Sequence, residues 1–210
     1  MKKILTGIAL LACLLVWQIY AESSTPIVQQ NVPIQTIEAP TYGTGKIIVE
    51  YFRDYQCPPC RIFTRSYLPL LERLVHEGKI TLIYRQYPLV EMHQNSYRDA
   101  LAALCAAEQG EYLRYSQKIY ALEYRRSGKN ITDTQRIGLL VGTHMDRKKF
   151  RTCLMSDRYA SRIDADTEKW ALYGVDSIPA IVVDGKLLEY SKIMNEEDLD
   201  KVLMEKIGNK

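Results

Sequence analysis

The sequence predicts an α/β fold in which a block of helices interrupts a small sheet. Three observations predict it. An apolar strand runs into Cys57-Pro58-Pro59-Cys60, then a helical pattern and a second strand, so the first unit is strand–helix–strand. Five helical segments then follow, over about residues 94–173, with no strand between them. After the helices, a Pro-led strand, an Asp-Gly turn, a partner strand and a closing helix complete a ββα unit. The whole reads βαβ, helical insert, ββα, without an internal repeat.

In chain order, Lys2 and Lys3 precede an apolar run from Ile4 to Tyr20, followed by Ala21. As a helix its 17 residues would span about 26 Å, the short edge for crossing a bilayer. Two readings stand side by side for residues 1–21: a signal peptide cut after Ala21, or an anchor whose residues 4–20 hold the chain to the membrane. Apolar residues continue after Cys13, which argues against a lipid-modified cysteine. Both readings place the remainder outside the cytoplasm, in a periplasm or at the cell surface, where disulfides persist. Residues 22–45 are rich in Ser, Thr, Gln and Pro and lack helical periodicity. They are expected to form a linker with a short edge strand around Ile34 to Ile37. A single domain then occupies residues 46–210.

Lys46 to Phe52 is a continuous apolar-leaning run, as expected of a buried strand. Beyond Cys57, Ile62, Phe63, Tyr67, Leu70, Leu71, Leu74 and Val75 recur at helical spacing, with a kink expected at Pro69 and a stop at Gly78. Lys79 to Tyr87 is the second strand, stopped by Pro88 and paired parallel to the first through a crossover. The insert is expected as helices over 95–109, 111–124, 132–142 (Thr132 as N-cap), 146–155 and 157–173. Asp184-Gly185 signals a type I′ hairpin joining strands 178–183 and 186–190. A helix over 195–207 closes the chain.

The bulk composition excludes two classes. With 28 basic against 25 acidic residues, and no basic run longer than Arg147-Lys148-Lys149, nothing points to nucleic acid. A domain of this length with 47% hydrophobic residues does not need disulfides to make up for a small core. The cysteines outside the leader, Cys57, Cys60, Cys105 and Cys153, are therefore expected to serve chemistry, with at most one structural bridge.

The stretches Asp54-Tyr55-Gln56-Cys57-Pro58-Pro59-Cys60, Ala102 to Gly110 and Gly174-Val175-Asp176-Ser177-Ile178-Pro179 occur in this order. Together they resemble the DsbA-like thiol–disulfide oxidoreductases, which have a thioredoxin fold with an inserted helical domain between the second strand and the cis-proline strand. The resemblance covers about Lys46 to the C-terminus. It implies an enzyme that exchanges disulfides with exported proteins, unfolded or reduced, in the oxidative direction. A membrane redox partner would reset the dithiol. No cofactor is implied beyond the redox-active Cys57–Cys60 pair.

The residues supply their own mechanism. Cys57 is expected just ahead of a helix, where unpaired N–H groups and the helix dipole favour a thiolate. It is the expected attacking sulfur, exposed to substrate, and Cys60, one turn on, the shielded resolving thiol. Pro58 and Pro59 fit the first helical turn and stiffen the loop that meets substrate. The resemblance makes Pro179 the cis-proline facing the cysteines, with Ile178 offering backbone hydrogen bonds to an extended substrate.

Two departures from the family pattern bear on direction. A strong oxidant of this family carries His just before the second cysteine, where this chain has Pro59; a reductase or isomerase role therefore stays open. Relatives also carry a buried acid six residues before the first cysteine. That position here is Tyr51, and Glu50 is one residue earlier. Because neighbouring strand residues face opposite ways, a proton relay through Glu50 requires a bulge; otherwise Tyr51 occupies the site and the acid is missing. The second alternative is the expected one.

Cys105 and Cys153, on different helices of the insert, are expected to form a structural disulfide, the alternative being two buried thiols. No metal site is expected. His76, His93 and His144 lack ligand spacing and are expected at the surface or in loops. A non-catalytic alternative is a copper-binding dithiol, with Met194 or His93 as further ligand.

Overall fold

The computed structural model describes residues 38–189, 193 and 195–209. The leader, the edge strand expected at residues 34–37 and Met194 lie outside the described residues. No helix among the described residues is long and apolar enough to cross a membrane.

Five strands form one mixed sheet: β1 (Thr41–Tyr42), β2 (Ile47–Arg53), β3 (Ile80–Gln86), β4 (Ala180–Val183) and β5 (Lys186–Leu187), in the order β1-β3-β2-β4-β5. The helices are α1 (Pro58–Ser66), α2 (Leu68–His76), α3 (Ser96–Ala107), α4 (Tyr112–Arg126), α5 (Asp133–Gly138), α6 (Arg147–Met155), α7 (Ala160–Leu172) and α8 (Glu196–Gly208). β2 and β3 pair parallel through the α1–α2 crossover, with Tyr51 level with Tyr84. β4 returns antiparallel beside β2, with Tyr51 level with Ile181. The thioredoxin fold with its helical insert, α3 to α7 between β3 and β4, is as expected.

Strand parity divides the core. Val49 and Tyr51 of β2 face the larger cluster, with Cys60, Phe63, Leu71, the Ala-rich α3 and Ile119 of α4. Phe52 faces the other way, onto Trp170 of α7, which also stacks on Tyr87 at 3.7 Å between ring centroids. The insert thus covers both faces of the sheet near the ends of β2 and β3.

Several boundaries differ from expectation for local reasons. The helix after Cys57 is two helices meeting at Tyr67, not one kinked at Pro69. Pro69 sits at the second position of α2, where its missing N–H costs no helical bond. The linker expected to run to residue 45 ends earlier. Thr41 and Tyr42 pair with β3, Gly45 N–H donates to the Ile80 carbonyl at 3.3 Å, and Thr81 Oγ1 donates to the Gly45 carbonyl at 2.8 Å. A Cβ at Gly45 would stand 2.2 Å from the Ile80 nitrogen, so only glycine allows this approach. α5 stops at Gly138, four residues short, although Thr132 caps it through a full capping box with Gln135. At the hairpin, Asp184 and Gly185 both have positive φ, as a type I′ turn requires.

Cys105 of α3 and Cys153 of α6 are joined, with S–S 1.98 Å and Cα atoms 5.8 Å apart. The bridge spans 48 residues of the insert. Removing it in a Cys105→Ala/Cys153→Ala double variant is expected to cost about 2–4 kcal/mol, chiefly by freeing the unfolded chain. Thermal melting should read this as a drop of roughly 10 °C; an unchanged midpoint would contradict it.

Candidate active site

β2 delivers the site. Its last residue, Arg53, is followed by a three-residue turn, Asp54-Tyr55-Gln56, and Cys57 then serves as N-cap of α1 in an extended conformation. Pro58 and Pro59 occupy the first two helical positions. Neither has an N–H, so the Cys60 amide is the first helix-terminal donor that a sulfur at the cap can meet. Both cysteines are free thiols. Across from them the Ile178–Pro179 peptide is cis, and the Ile178 carbonyl lies 3.9 Å from Cys57 Sγ.

The two sulfurs are made unequal. Cys57 is lowered to about 7, first because the Cys60 thiol donates a hydrogen bond to it; burial opposes this. The Cys60 backbone N–H and the nearby His93 lower it further, and Asp54 raises it. Cys60 is pushed well up, by burial first and then by its role as donor to Cys57. Cys57 was expected to be exposed, yet it is only 5% exposed against 0% for Cys60. What distinguishes Cys57 is that it opens onto two cavities. One, of about 520 Å³, is lined by Gln56, Arg61, Glu123 and Tyr124 among others. The second, of about 440 Å³, is lined by Pro59, Leu89, Trp170 and Ile178. Pro58, Met92 and His93 border both.

The proton-relay position resolves by strand parity. Tyr51 is on the cysteine face, its hydroxyl donating to the Cys60 carbonyl at 3.1 Å and sharing a bond with Thr64 Oγ1 at 3.2 Å. Glu50 is on the opposite face, which corrects its candidacy as relay. There it accepts from Arg85 Nε at 2.6 Å and from the Tyr173 hydroxyl at 2.5 Å. The absence of a bulge is the reason: β2 pairs without interruption from Ile47 to Arg53.

The sequence reading missed the acid that does stand near the sulfurs. Asp54 is buried; Oδ1 accepts from Gln56 N–H at 2.7 Å, and Oδ2 from Leu89 N–H at 2.8 Å. Oδ2 also lies 2.8 Å from His93 Nδ1, which brings His93, expected as an ordinary loop residue, into the site. Asp54 had a local signal, an acid in the turn before the cysteines. His93 had none, because the loop after β3 supplies it. Arg53 is a second surprise. It is 1% exposed and donates to the Tyr55 and Tyr112 hydroxyls and to Ser116 Oγ at 2.6–2.9 Å. Its guanidinium also stands 4.7 Å from the Tyr55 ring centre and 4.8 Å from that of Tyr84. This cage of tyrosines backs the turn that carries Cys57. Among the described residues no three His, Cys, Asp or Glu side chains gather as a metal site.

The thioredoxin family model matches residues 42–205. The chain belongs to the thioredoxin family. Within this thioredoxin family the DsbA-like resemblance also holds in the comparisons. A Bacillus anthracis protein described as "Probable disulfide bond formation protein D" is 22% identical over 155 residues, covering 72% of this chain and 71% of that one. Bacillus subtilis BdbD, solved in its oxidised form, superposes with a TM-score of 0.70 at 16% identity, covering 81% of this chain and 93% of BdbD. Chlamydia trachomatis DsbA superposes with a TM-score of 0.64 at 19% identity, covering 80% and 90%. At these identities the structural likenesses show the fold. The pairing of a CxxC at a helix start with a cis-proline loop is what the thioredoxin-family chain adds from its own residues.

Proposed function

We propose that this chain is a thiol–disulfide oxidoreductase that exchanges disulfides with exported proteins, running in the oxidative direction. The single observation that carries the proposal is the placement of the two thiols: Cys57 at the cap of α1, 3.9 Å from the carbonyl of the cis Ile178–Pro179 peptide, and Cys60 fully buried one turn behind it, which lowers Cys57 to about 7 and raises Cys60. A low-pKa sulfur is both the better thiolate at neutral pH and the better leaving group from a mixed disulfide. In the oxidised protein a substrate thiolate attacks Cys57 Sγ and the Cys57–Cys60 bond breaks onto Cys60. A second substrate thiolate then releases Cys57. The Ile178 carbonyl, beside Cys57, offers an extended substrate a backbone partner, and the cavity with Trp170, Leu89 and Ile178 offers an apolar wall. The residue 4–20 run supports export or anchoring, and with it action outside the cytoplasm beside a membrane redox partner.

The test is exchange with a reduced model protein, wild type against Cys57→Ser. The wild type should form disulfides in the substrate and the variant should not; equal activity in both sinks the proposal. The reduction potential of the Cys57/Cys60 pair tests the direction. A value near −120 mV supports oxidation, and one near −270 mV makes the chain a reductase.

A further inference from the structure

We propose that His93, held by Asp54, is the proton carrier for exchange at Cys57. This rests on the exchange activity proposed above and assigns the acid–base role that neither Glu50 nor position 59 fills.

The geometry begins with Asp54. Its carboxylate accepts two backbone N–H groups, from Gln56 and Leu89, which tie together the turn before Cys57 and the loop after β3. It is thus immobile and has its remaining acceptor capacity aimed at His93 Nδ1, 2.8 Å away. An ionised carboxylate only accepts, so Nδ1 carries the proton and Nε2 is the working nitrogen. Among the described residues the ring makes no other hydrogen bond. With 19% of its side chain exposed, His93 borders both cavities into which Cys57 opens. A substrate thiol in either cavity therefore has the ring in its wall.

Among the described residues no other charged or titratable group hydrogen-bonds the ring. Arg61 of α1 stacks over the Tyr124 ring of α4 at 4.1 Å. Glu123 of α4 is buried in the wall of the larger cavity, and among the described residues neither of its carboxylate oxygens has a hydrogen-bond partner. Asp176, ahead of β4, accepts from Ser177 Oγ at 2.9 Å. Among the described residues Asp54 is the one group bonded to the ring, and Cys57 and Cys60 are the groups it serves. The arrangement also answers an electrostatic problem. A buried carboxylate near a thiolate works against that thiolate, as Asp54 does for Cys57, and His93 acts on Cys57 in the opposite sense.

The first substrate thiol gives its proton to His93 Nε2, and its sulfur bonds to Cys57 Sγ. The Cys57–Cys60 bond breaks and its electron pair goes to Cys60. The second substrate thiol gives its proton to the Cys60 thiolate, the more basic sulfur. That second substrate sulfur then bonds to the first, and the bond to Cys57 breaks, leaving a Cys57 thiolate beside the His93 imidazolium. Two electrons pass from the substrate dithiol to the protein, with one proton on Cys60 and one on His93. Reduction of a substrate disulfide runs the same steps backward. Asp54 is a positioning residue in this scheme.

The test uses the full chain carrying His93→Gln, His93→Ala or Asp54→Asn. Glutamine keeps a donor for Asp54 but cannot titrate. Two quantities are read between pH 4 and 9: alkylation of reduced Cys57 by iodoacetamide, and exchange of the oxidised protein with a reduced model protein. The expected result for His93→Gln is an alkylation midpoint moved up by about one pH unit and exchange near pH 6 slowed by about 10²-fold, the lower end for a lost acid–base group. Added imidazole should restore part of the exchange rate in His93→Ala. Asp54→Asn should shift the profile too; if it fails to fold, His93→Gln alone decides. The proposal is overturned if His93→Gln keeps the wild-type pH profile and exchanges within two-fold of wild type. It is equally overturned if the rate falls uniformly at all pH with no rescue by imidazole, which is what a structural role predicts. Equal exchange by Cys57→Ser and wild type, by contrast, overturns the exchange activity itself.

Discussion

Cys60→Ser is expected to convert the protein into a trap. With the resolving sulfur gone, a substrate disulfide attacked by Cys57 stops at the mixed disulfide, because nothing within the protein can break it. The expected readout is a covalent adduct stable to non-reducing electrophoresis and released by dithiothreitol, with turnover down by at least 100-fold. The adduct should map to Cys57 alone. The structure makes this the productive variant of the pair. Cys60 is fully buried, its carbonyl is held by the Tyr51 hydroxyl, and serine at that place changes one atom without opening a cavity. The mirror variant, Cys57→Ser, should form no adduct, since Cys60 has no path to solvent. Adducts of similar yield in both variants would contradict the assignment of roles.

Arg85→Met is expected to destabilise the fold by about 3–5 kcal/mol, the range for removing one partner of a buried ion pair. Arg85 is nearly inaccessible and holds two carboxylates apart: Glu50, through Nε at 2.6 Å, and Asp166 of α7, through Nη1 at 3.0 Å. Asp166 in turn accepts the Gln86 backbone N–H at 2.9 Å, so this network fastens the insert to the sheet. Methionine fills the stem's volume and leaves two buried anions short of a partner. In urea unfolding the midpoint should fall with the slope unchanged. The double variant Arg85→Met/Glu50→Leu should recover part of the loss, because the orphaned Glu50 charge is gone. A single variant within 1 kcal/mol of wild type would show that the network contributes little.

How far residues alone revealed this protein depends on the range of the signal. The βαβ and ββα units, the insert, the Asp184-Gly185 turn and the Thr132 cap rest on signals a few residues long, and they were legible. So was the side of the sheet that Tyr51 faces, because strand parity is a local rule. The break at Tyr67 was placed two residues late because a proline is tolerated inside a first turn as readily as it ends a helix. The contacts that tune the site were not legible. Asp54 meets His93, Glu50 meets Arg85, and Arg53 meets Tyr112 and Ser116 only after the chain crosses from sheet to insert. Buried charge of this kind has no periodicity, and its partners have no fixed spacing. The exposure of Cys57 was overestimated for a related reason: the walls that enclose it come from the loop after β3, α4 and the cis-proline loop, all distant in sequence.

The central claim is that hydrogen bonds from the Cys60 thiol and amide make Cys57 acidic, while burial makes Cys60 basic. The most direct measurement is alkylation of the reduced protein as a function of pH, with the modified cysteine identified by peptide mass. The account predicts that label appears at Cys57 with a midpoint about pH 7, while Cys60 stays unmodified through pH 9. A midpoint near the free-thiol value of about 8.5, or label entering Cys60 first, would contradict it.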